Sequence, residues 1–198
     1  MSIERKGVIE HIEHYFGPIQ HGWKTSPDGA PMDFQVVECL GGKIARARVF
    51  STLGLSDFPL RSAVSDKMIR HELLIAVPDS FGDRNIPAVL QQLASDALKK
   101  GSPYLRGEVI ERGNPIFSGK PFYGFYTAIP VILPEESRGY KFGDGDQMVF
   151  AWMVPITKLE GAYLRSKGWS KFEALLEARN ADLVDLDRPD YAATAVTS

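Results

Sequence analysis

Three of the four histidines lie close together near the start of the chain, and imidazole nitrogens can bind a metal ion. His11 and His14 are three residues apart in a predicted helix, and His21 follows soon after. No second group of ligands stands elsewhere at a typical spacing, so this pattern is more typical of surface histidines. His71-Glu72 begins like the zinc motif H-E-x-x-H, but Ile75 stands where the second histidine would be. We therefore predict no metal site and no cofactor.

Two further patterns resemble reactive or metal-binding groups without completing them. Residues 143–146 read Gly-Asp-Gly-Asp, which lacks the bidentate glutamate of a calcium loop and is more typical of a tight turn between strands. Cys39 is the only cysteine, and together with His71 it could form a thiolate–imidazole pair. Because it lies in an alternating strand beside Val37 and Leu40, we expect a buried, inert thiol.

Four carboxylates near predicted strand ends leave a hydrolase open as an alternative, although no spacing pairs any two of them. These residues are Asp33, Glu38, Asp57 and Glu72. The chain contains no phosphate-binding loop, dinucleotide fingerprint or nucleophile elbow. No catalytic residue is therefore assigned, and we predict that the protein is not an enzyme.

Charge and composition exclude several classes of partner. The 198 residues carry 23 basic and 25 acidic side chains, and no basic run exceeds Lys99-Lys100, so nucleic-acid binding is not expected. The longest apolar run, Met148 to Ile156, is nine residues long, whereas a bilayer span needs about twenty. The charged N-terminus lacks the apolar stretch of a signal peptide. With a single cysteine, these features predict a cytoplasmic protein without membrane contact.

Helical periodicity is clearest in two segments. Residues 3–16 place apolar side chains on one face before Gly17-Pro18, and residues 86–100 do so before Gly101. After Pro155 the capping-box pairs Thr157/Glu160 and Ser170/Glu173 predict two further helices, separated at Gly168.

Alternating apolar residues predict strands between these helices. Residues 34–40 and 43–52 are predicted to form a hairpin with a two-residue turn at Gly41-Gly42, and one face of the second strand is expected to be wet. Residues 71–77 form another strand, whereas residues 21–31 are interpreted as an irregular connection.

The second half of the chain predicts short strands joined by loops. Residues 102–146 combine Pro, Gly and aromatic residues, with residues 123–133 as the best strand, followed by residues 147–156. Residues 183–186 are a candidate edge strand. Together, these patterns predict an α+β fold: one domain over residues 1–190, with a mixed, mainly antiparallel sheet and flanking helices. Residues 191–198 are expected to fray.

One segment differs from ordinary core sequence. The strand that ends near Leu53 runs into Gly54-Leu55-Ser56-Asp57, followed by Pro59. We predict a kink at Gly54, with Leu53 and Leu55 buried on opposite sides. The Ser56 and Asp57 side chains are expected to bond to backbone N–H groups in an Asx-type turn. The segment is therefore interpreted as a structural turn.

The string Gly54-Leu-Ser-Asp57 resembles the signature of the Suppressor of fused domain family. Further similar stretches follow in family order and extend the resemblance over about residues 30–190. They are Glu72-Leu73, residues 86–90, residues 107–110, residues 148–154, the Glu160 helix with Leu175-Leu176, and residues 185–188.

The resemblance implies a mixed α/β domain that binds another protein. Animal relatives bind transcription factors of the Hedgehog pathway through an extended peptide, which is added as a strand between this domain and a second one. Short bacterial members are linked to contact-dependent toxin systems as cytoplasmic immunity proteins. The family's peptide-contacting acid corresponds to Glu108, whereas Asp96-Ala97 stands where animal members carry a peptide-contacting tyrosine. The chain ends where the second domain of those relatives would begin.

The leading hypothesis is therefore a non-enzymatic protein that binds a partner stoichiometrically, with a secreted polymorphic toxin as the expected partner. Open sheet edges and aromatic side chains such as Trp23 and those of residues 117–126 can support such binding, although most of these rings are expected in the core. A carboxylate-dependent hydrolase and a regulatory or assembly subunit remain the alternatives. We expect a monomer or a weak homo-oligomer.

Overall fold

A computed structural model describes residues 3–82, 85–143 and 145–193 of the chain. Within these ranges, α1 is followed by five strands, α2 by four strands, and α3 and α4 come last. Their bounds, in chain order, are α1 (Ile3–Phe16), β1 (Ile19–Thr25), β2 (Pro31–Leu40), β3 (Ala47–Leu53), β4 (Leu60–Arg61), β5 (Met68–Pro78), α2 (Ile86–Lys100), β6 (Val109–Glu111), β7 (Gly124–Ala128), β8 (Gly139–Lys141), β9 (Gln147–Ile156), α3 (Lys158–Lys167) and α4 (Trp169–Ala178).

All the strands belong to one mixed sheet. Its main path runs β1-β2-β3-β5-β9-β7-β6, while β4 pairs with β5 and β8 pairs with β9. Among the described strands, only the central contact between β5 and β9 is parallel, and every other pair is antiparallel. This architecture confirms the predicted α+β fold with a mainly antiparallel sheet.

Helices cover both faces of the sheet and create two apolar cores. On one face, Leu90 and Leu93 of α2 pack with Phe50 and Leu73. On the other face, α1, α3 and α4 bring their buried side chains against the alternate positions of the same strands. The prediction of a wet face on β3 is therefore wrong, because every residue from Val49 to Leu53 is buried.

Most of the predicted helices agree with the structure. Both α1 and α2 have the predicted bounds, and Gly101 ends α2 in the left-handed conformation. The capping box of Thr157 and Glu160 forms at the start of α3. The prediction of a second capping box, at Ser170 and Glu173, is wrong, because α4 begins at Trp169 without a side-chain cap. Among the described helices, none is long and apolar enough to cross a membrane.

Two predictions about the first strands are wrong. Residues 19–25 form β1 instead of an irregular connection, and most of its side chains are exposed, so it carries little hydrophobic periodicity. The turn after β2 has more than two residues, because β3 begins only at Ala47. Here Lys43 N–H donates to Tyr15 C=O over 2.9 Å. Gly42 also lies so close to α1 that a Cβ would be 2.2 Å from the Phe16 backbone.

The late strands are partly as predicted. Strand β9 has the predicted bounds, whereas β7 ends at Ala128 instead of continuing to Leu133. Residues 183–186 form turns and bends, so the predicted edge strand there is wrong. In this closing segment, residues 183–188, an ion pair between side chains takes the place of strand pairing.

The closing segment is held by the buried side chain of Arg188. Its guanidinium donates to the two Glu160 carboxylate oxygens over 2.5 and 2.8 Å and to Pro155 C=O over 2.9 Å. A buried charge needs such a partner, and Glu160 also accepts the Thr157 N–H of its own capping box. Ala192 is buried in the turn that follows, while residues 194–198, part of the predicted frayed tail, lie outside the described residues.

Candidate functional site

The motif that follows β3 is a tight turn that requires glycine. Gly54 has φ of 102°, a left-handed conformation that a residue with a Cβ resists, and residues 55–57 then form one turn of 3₁₀-helix. Leu53 and Leu55 are buried in different cores, as predicted. This turn directs consecutive backbone N–H groups toward the neighbouring strand β5.

The group that receives these N–H bonds is the Glu72 carboxylate. One of its oxygens accepts from Gly54 N–H at 2.9 Å, Ser56 N–H at 3.1 Å and Ser56 Oγ at 2.7 Å. The other accepts from Thr52 Oγ1 at 2.6 Å and from Leu55 N–H at 3.3 Å. Thr52 Oγ1 also accepts the Leu73 N–H at 2.8 Å, which joins β3 to β5.

Glu72 is completely buried. Removing its carboxyl group from water costs free energy, and the hydrogen bonds of the network offset that cost. Burial raises the pKa of the Glu72 carboxyl, and the hydrogen bonds from Thr52, Ser56 and Gly54 act in the opposite direction. Because the donors of the motif are occupied by a carboxylate of the same sheet, the arrangement supports a structural role for residues 54–56.

Asp57 does not form the predicted Asx-type turn. Its carboxylate pairs instead with the Arg5 guanidinium of α1, and both side chains are partly exposed. The Arg5 side chain also lies close to Gly54, where a Cβ would be 3.2 Å from its terminal nitrogen. The interaction of Asp57 therefore links the motif to the first helix, and the exposed Pro59 leads into β4.

The three N-terminal histidines contact different partners and do not converge. His11 Nε2 lies 3.3 Å from Ser137 C=O and its ring packs on aromatic side chains, whereas His14 Nε2 lies 3.1 Å from Lys43 Nζ. His21 Nδ1 lies 3.0 Å from a Glu38 oxygen. Within the described ranges, no three His, Cys, Asp or Glu side chains are placed to hold a metal ion. Asp144 lies outside these ranges, and Asp146 pairs with Arg70.

Cys39 and His71 also lie apart. Cys39 is buried on the face covered by α1, and burial raises the pKa of its thiol to about 12, so the thiol stays protonated at neutral pH. His71 and Leu73 are two residues apart on β5, so their side chains lie on the same face of the sheet. Leu73 belongs to the core on the face opposite Cys39. Burial lowers the pKa of His71 to about 4, so its ring is neutral at neutral pH.

The four carboxylates proposed for a hydrolase do not form a pair. Asp33 is exposed on β2, and Glu38 pairs with Arg48 and contacts His21. Asp57 pairs with Arg5, and Glu72 is occupied by the motif. No observation in the described chain therefore favours the hydrolase alternative.

Glu108 lies beside an open edge of the sheet. It is half-buried immediately before β6, the last strand on this side of the sheet path. Burial raises the pKa of the Glu108 carboxyl, while a backbone hydrogen bond near Leu105 and the charge of Lys100 lower it. Within the described chain, no strand pairs with the outer side of β6.

Most of the aromatic residues considered for partner contact belong to the core. Phe117, Phe122, Phe125 and Tyr126 are buried, and Trp23 packs partly buried against the same core as three of them. The exposed ring near β6 is Trp169, which the sequence did not single out. It covers Gly107, where a Cβ would be 2.6 Å from the indole, and it stacks under the Arg106 guanidinium.

A family comparison now places this fold. The family model described as Suppressor of fused protein (SUFU) matches residues 31–189. The chain belongs to the SUFU family. No curated protein sequence matches it.

Solved structures of SUFU proteins share the fold. A SUFU homologue from Neisseria gonorrhoeae FA 1090 has a TM-score of 0.73 at 21% identity, and the match covers 95% of this chain and 96% of that one. A structure described as the Sufu–Fu complex has a TM-score of 0.68 at 13% identity, with coverage of 95% and 92%. Drosophila Suppressor of Fused has a TM-score of 0.56 at 13% identity, with coverage of 80% and 42%.

The sequence analysis considered Glu72 as a candidate catalytic carboxylate, in an incomplete zinc motif and in a stretch similar to the family, but it missed the bond of Glu72 to the motif. The available signal was a charged residue inside the apolar strand of residues 71–77, since such a residue is buried only with partners. Periodicity identified the strand but could not indicate which loop supplies the donors.

Replacing Glu72 tests the network directly. Glu72→Gln would turn an amide NH₂ toward groups that are themselves donors, so we expect it to lower the free energy of unfolding by about 3 kcal/mol. That loss corresponds to a melting temperature lower by roughly 10 °C in a protein of this size. Thermal and urea unfolding measure both values. The same change at exposed Glu136 is the control, and equal stability of the two variants would refute the assigned role.

Gly54→Val tests the backbone requirement of the motif. A β-branched residue at φ of 102° should lower the free energy of unfolding by about 2 kcal/mol. Gly113→Val is the matched control, because Gly113 has open space around its Cβ position and no left-handed φ. Unfolding curves that move equally for both variants would contradict the structural assignment of Gly54.

Proposed function

We propose that this SUFU-family protein binds another protein by accepting an extended segment of the partner along the outer edge of β6. The observation that carries this proposal is the open edge itself. Unpaired N–H and C=O groups at a sheet edge can bond to an added strand, whereas side chains on both faces provide selectivity. The function proposed is binding, without catalysis.

The pairing of β6 with β7 determines which of its groups are available. Thr127 N–H donates to Glu108 C=O, and Arg112 N–H donates to Tyr123 C=O. Backbone groups alternate in direction along an antiparallel strand, so Ile110 also faces β7. The N–H and C=O groups of Val109 and Glu111 therefore point toward the open edge.

Charged side chains flank this edge on both faces. Glu108 and Arg112 share the face of α2, where Asp96 lies 3.9 Å from Arg112. Glu111 lies on the opposite face and pairs with Arg165 of α3. Glu108 is the acid that the family resemblance assigns to peptide contact, and it supports recognition of a basic group in the partner.

We also propose that the partner is a toxin and that this chain is its cytoplasmic immunity protein. The relation of short bacterial family members to contact-dependent toxin systems supports this assignment. A structure described as the Sufu–Fu complex supports the broader role of protein binding for this fold. An immunity protein needs a stoichiometric docking surface, and an open strand edge provides one.

Val109→Pro tests the proposed edge. Proline removes the N–H that points outward while leaving the bonds of Ile110 to β7 in place, so the fold should persist. We expect at least tenfold weaker binding to the partner, which would first be isolated by pull-down from the native cell and then purified. Calorimetry measures the affinity. Val109→Ala keeps the N–H and should bind like the wild type. Equal affinities of the Pro and Ala variants would refute strand addition at β6.

Glu108→Lys is the second variant in the same assay. Charge reversal should weaken binding to a partner with a basic group. Glu10→Lys, at an exposed position of α1, should have no effect. Unchanged affinity of the Glu108 variant would exclude this residue from the interface. Light scattering that finds a stable homodimer lost in the Val109→Pro variant would instead assign the edge to self-assembly.

The immunity role predicts a specific rescue in cells. A toxin encoded beside this gene should stop growth when it is expressed in the cytoplasm, and co-expression of the wild-type chain should restore growth. The Val109→Pro variant should fail at equal protein levels, while Val109→Ala should succeed. Arrest that the wild-type chain does not relieve would rule out neutralisation of that toxin.

A further inference from the structure

A pocket lies beneath helix α4, next to strand β7, which pairs with β6. It has a volume of about 450 Å³ and opens between α4, the chain that follows α4, the end of β7 and the middle of β9. This volume lies within the usual range for sites that bind small molecules or single large side chains. We refer to it as the α4 pocket.

The α4 pocket has a mainly apolar wall. It is formed by Ala128, Ile129, Val131, Trp152, Leu176 and Leu183. Two of these side chains are open to solvent, with Ile129 37% exposed and Val131 64% exposed. A ligand that covers apolar side chains around a concave opening binds favourably, because it removes apolar surface from water.

The polar groups at one end of the pocket are already paired with one another. Arg106 Nε donates to the Glu173 carboxylate over 3.0 Å, and Tyr126 Oη donates to the same oxygen over 2.6 Å. Burial alone would raise the pKa of Glu173, but these hydrogen bonds lower it, so the group is ionised at neutral pH. Glu177 adds a second carboxylate to the lining, against the single positive charge of Arg106.

Trp152 supplies an unused hydrogen-bond donor. Its ring is fully buried and lines the pocket, and its indole Nε1–H has no acceptor among the described residues. Buried donors in proteins are normally bonded, and one without a partner costs free energy. A ligand oxygen placed beside the indole would provide the missing acceptor.

These features select one ligand chemistry. We propose that the α4 pocket binds an aromatic group that carries a hydrogen-bond acceptor and no negative charge. The rings of Trp152 and Tyr126 favour an aromatic ligand. The two carboxylates disfavour an anion, because Arg106 is already engaged by Glu173. The aromatic group can belong to a free molecule or to a side chain of a partner protein.

Three indole compounds that differ in charge and in hydrogen-bond acceptors test this proposal on the full-length chain. N-Acetyltryptophan amide is neutral and has two carbonyl acceptors, tryptamine is cationic and has none, and indole-3-acetate is anionic. Nuclear magnetic resonance follows the indole N–H signals of the three tryptophans, and Trp152→Phe assigns the relevant one. We expect N-acetyltryptophan amide to shift the Trp152 signal at millimolar concentration, and at least tenfold weaker binding of indole-3-acetate.

The free and protein-borne sources are distinguished by two further probes. Indole-3-acetamide represents a free neutral molecule, and a short peptide with an internal tryptophan represents a partner chain. If one of these two probes binds at least tenfold more tightly than the other, it identifies the source of the aromatic group. Tighter binding of either probe supports the pocket. No shift of the Trp152 signal with any neutral probe would overturn the proposal, as would equal affinity for indole-3-acetate.

Variants separate this pocket from general indole binding. Ala181→Phe fills the pocket and should abolish the shift, and an unfolded variant would be recognised from its amide spectrum. Val131→Asn at the mouth should weaken binding about threefold, while Val64→Asn at another exposed valine should not. Equal binding by the two Asn variants, or binding retained by a folded Ala181→Phe protein, would overturn the site. Glu108→Lys changes a side chain on the opposite face of the sheet and should leave the shift intact, so this test is independent of partner binding at β6.

Discussion

The fold depends on a buried carboxylate that the chain binds with its own backbone. Glu72 lies in a central strand, and the turn at residues 54–56 provides N–H groups that point at it. Thr52 bonds both to this carboxylate and to the backbone of β5. The most distinctive sequence of the chain is thus explained by a contact between neighbouring strands, since a buried carboxyl group without donors would be strongly unfavourable.

A buried ion pair plays a similar role near the C-terminal end of the described chain. Glu160 begins α3 through its capping box and simultaneously holds Arg188 from the closing segment. Two buried acidic residues thereby hold parts of the chain against the sheet, each by accepting bonds from several segments. The edge at β6 and the pocket under α4, where we propose recognition, do not use the donors that these two carboxylates bind.

Local patterns were sufficient where one element determines its own structure. Apolar spacing and flanking glycines predicted α1 and α2 with their bounds, and the long apolar run predicted β9. Patterns failed where a distant element supplies the partner. Edge strand β1 has little buried surface, and residues 41–46 follow the end of α1 instead of a hairpin turn. The same was true of the candidate site: the sequence showed the motif, but it did not show that the motif donates hydrogen bonds to Glu72.

The sequence by itself determined the class of the fold, the principal helices, the need for glycine at position 54 and membership of a binding family. These properties depend on side-chain periodicity, on backbone conformation and on short motifs, all of which are local. Only the tertiary structure decided that Glu72 occupies the motif, that Asp57 pairs with α1, and that β6 has an open edge. Each of these results joins residues far apart in the chain, and the order of strands in a sheet cannot be obtained from the periodicity of any one strand.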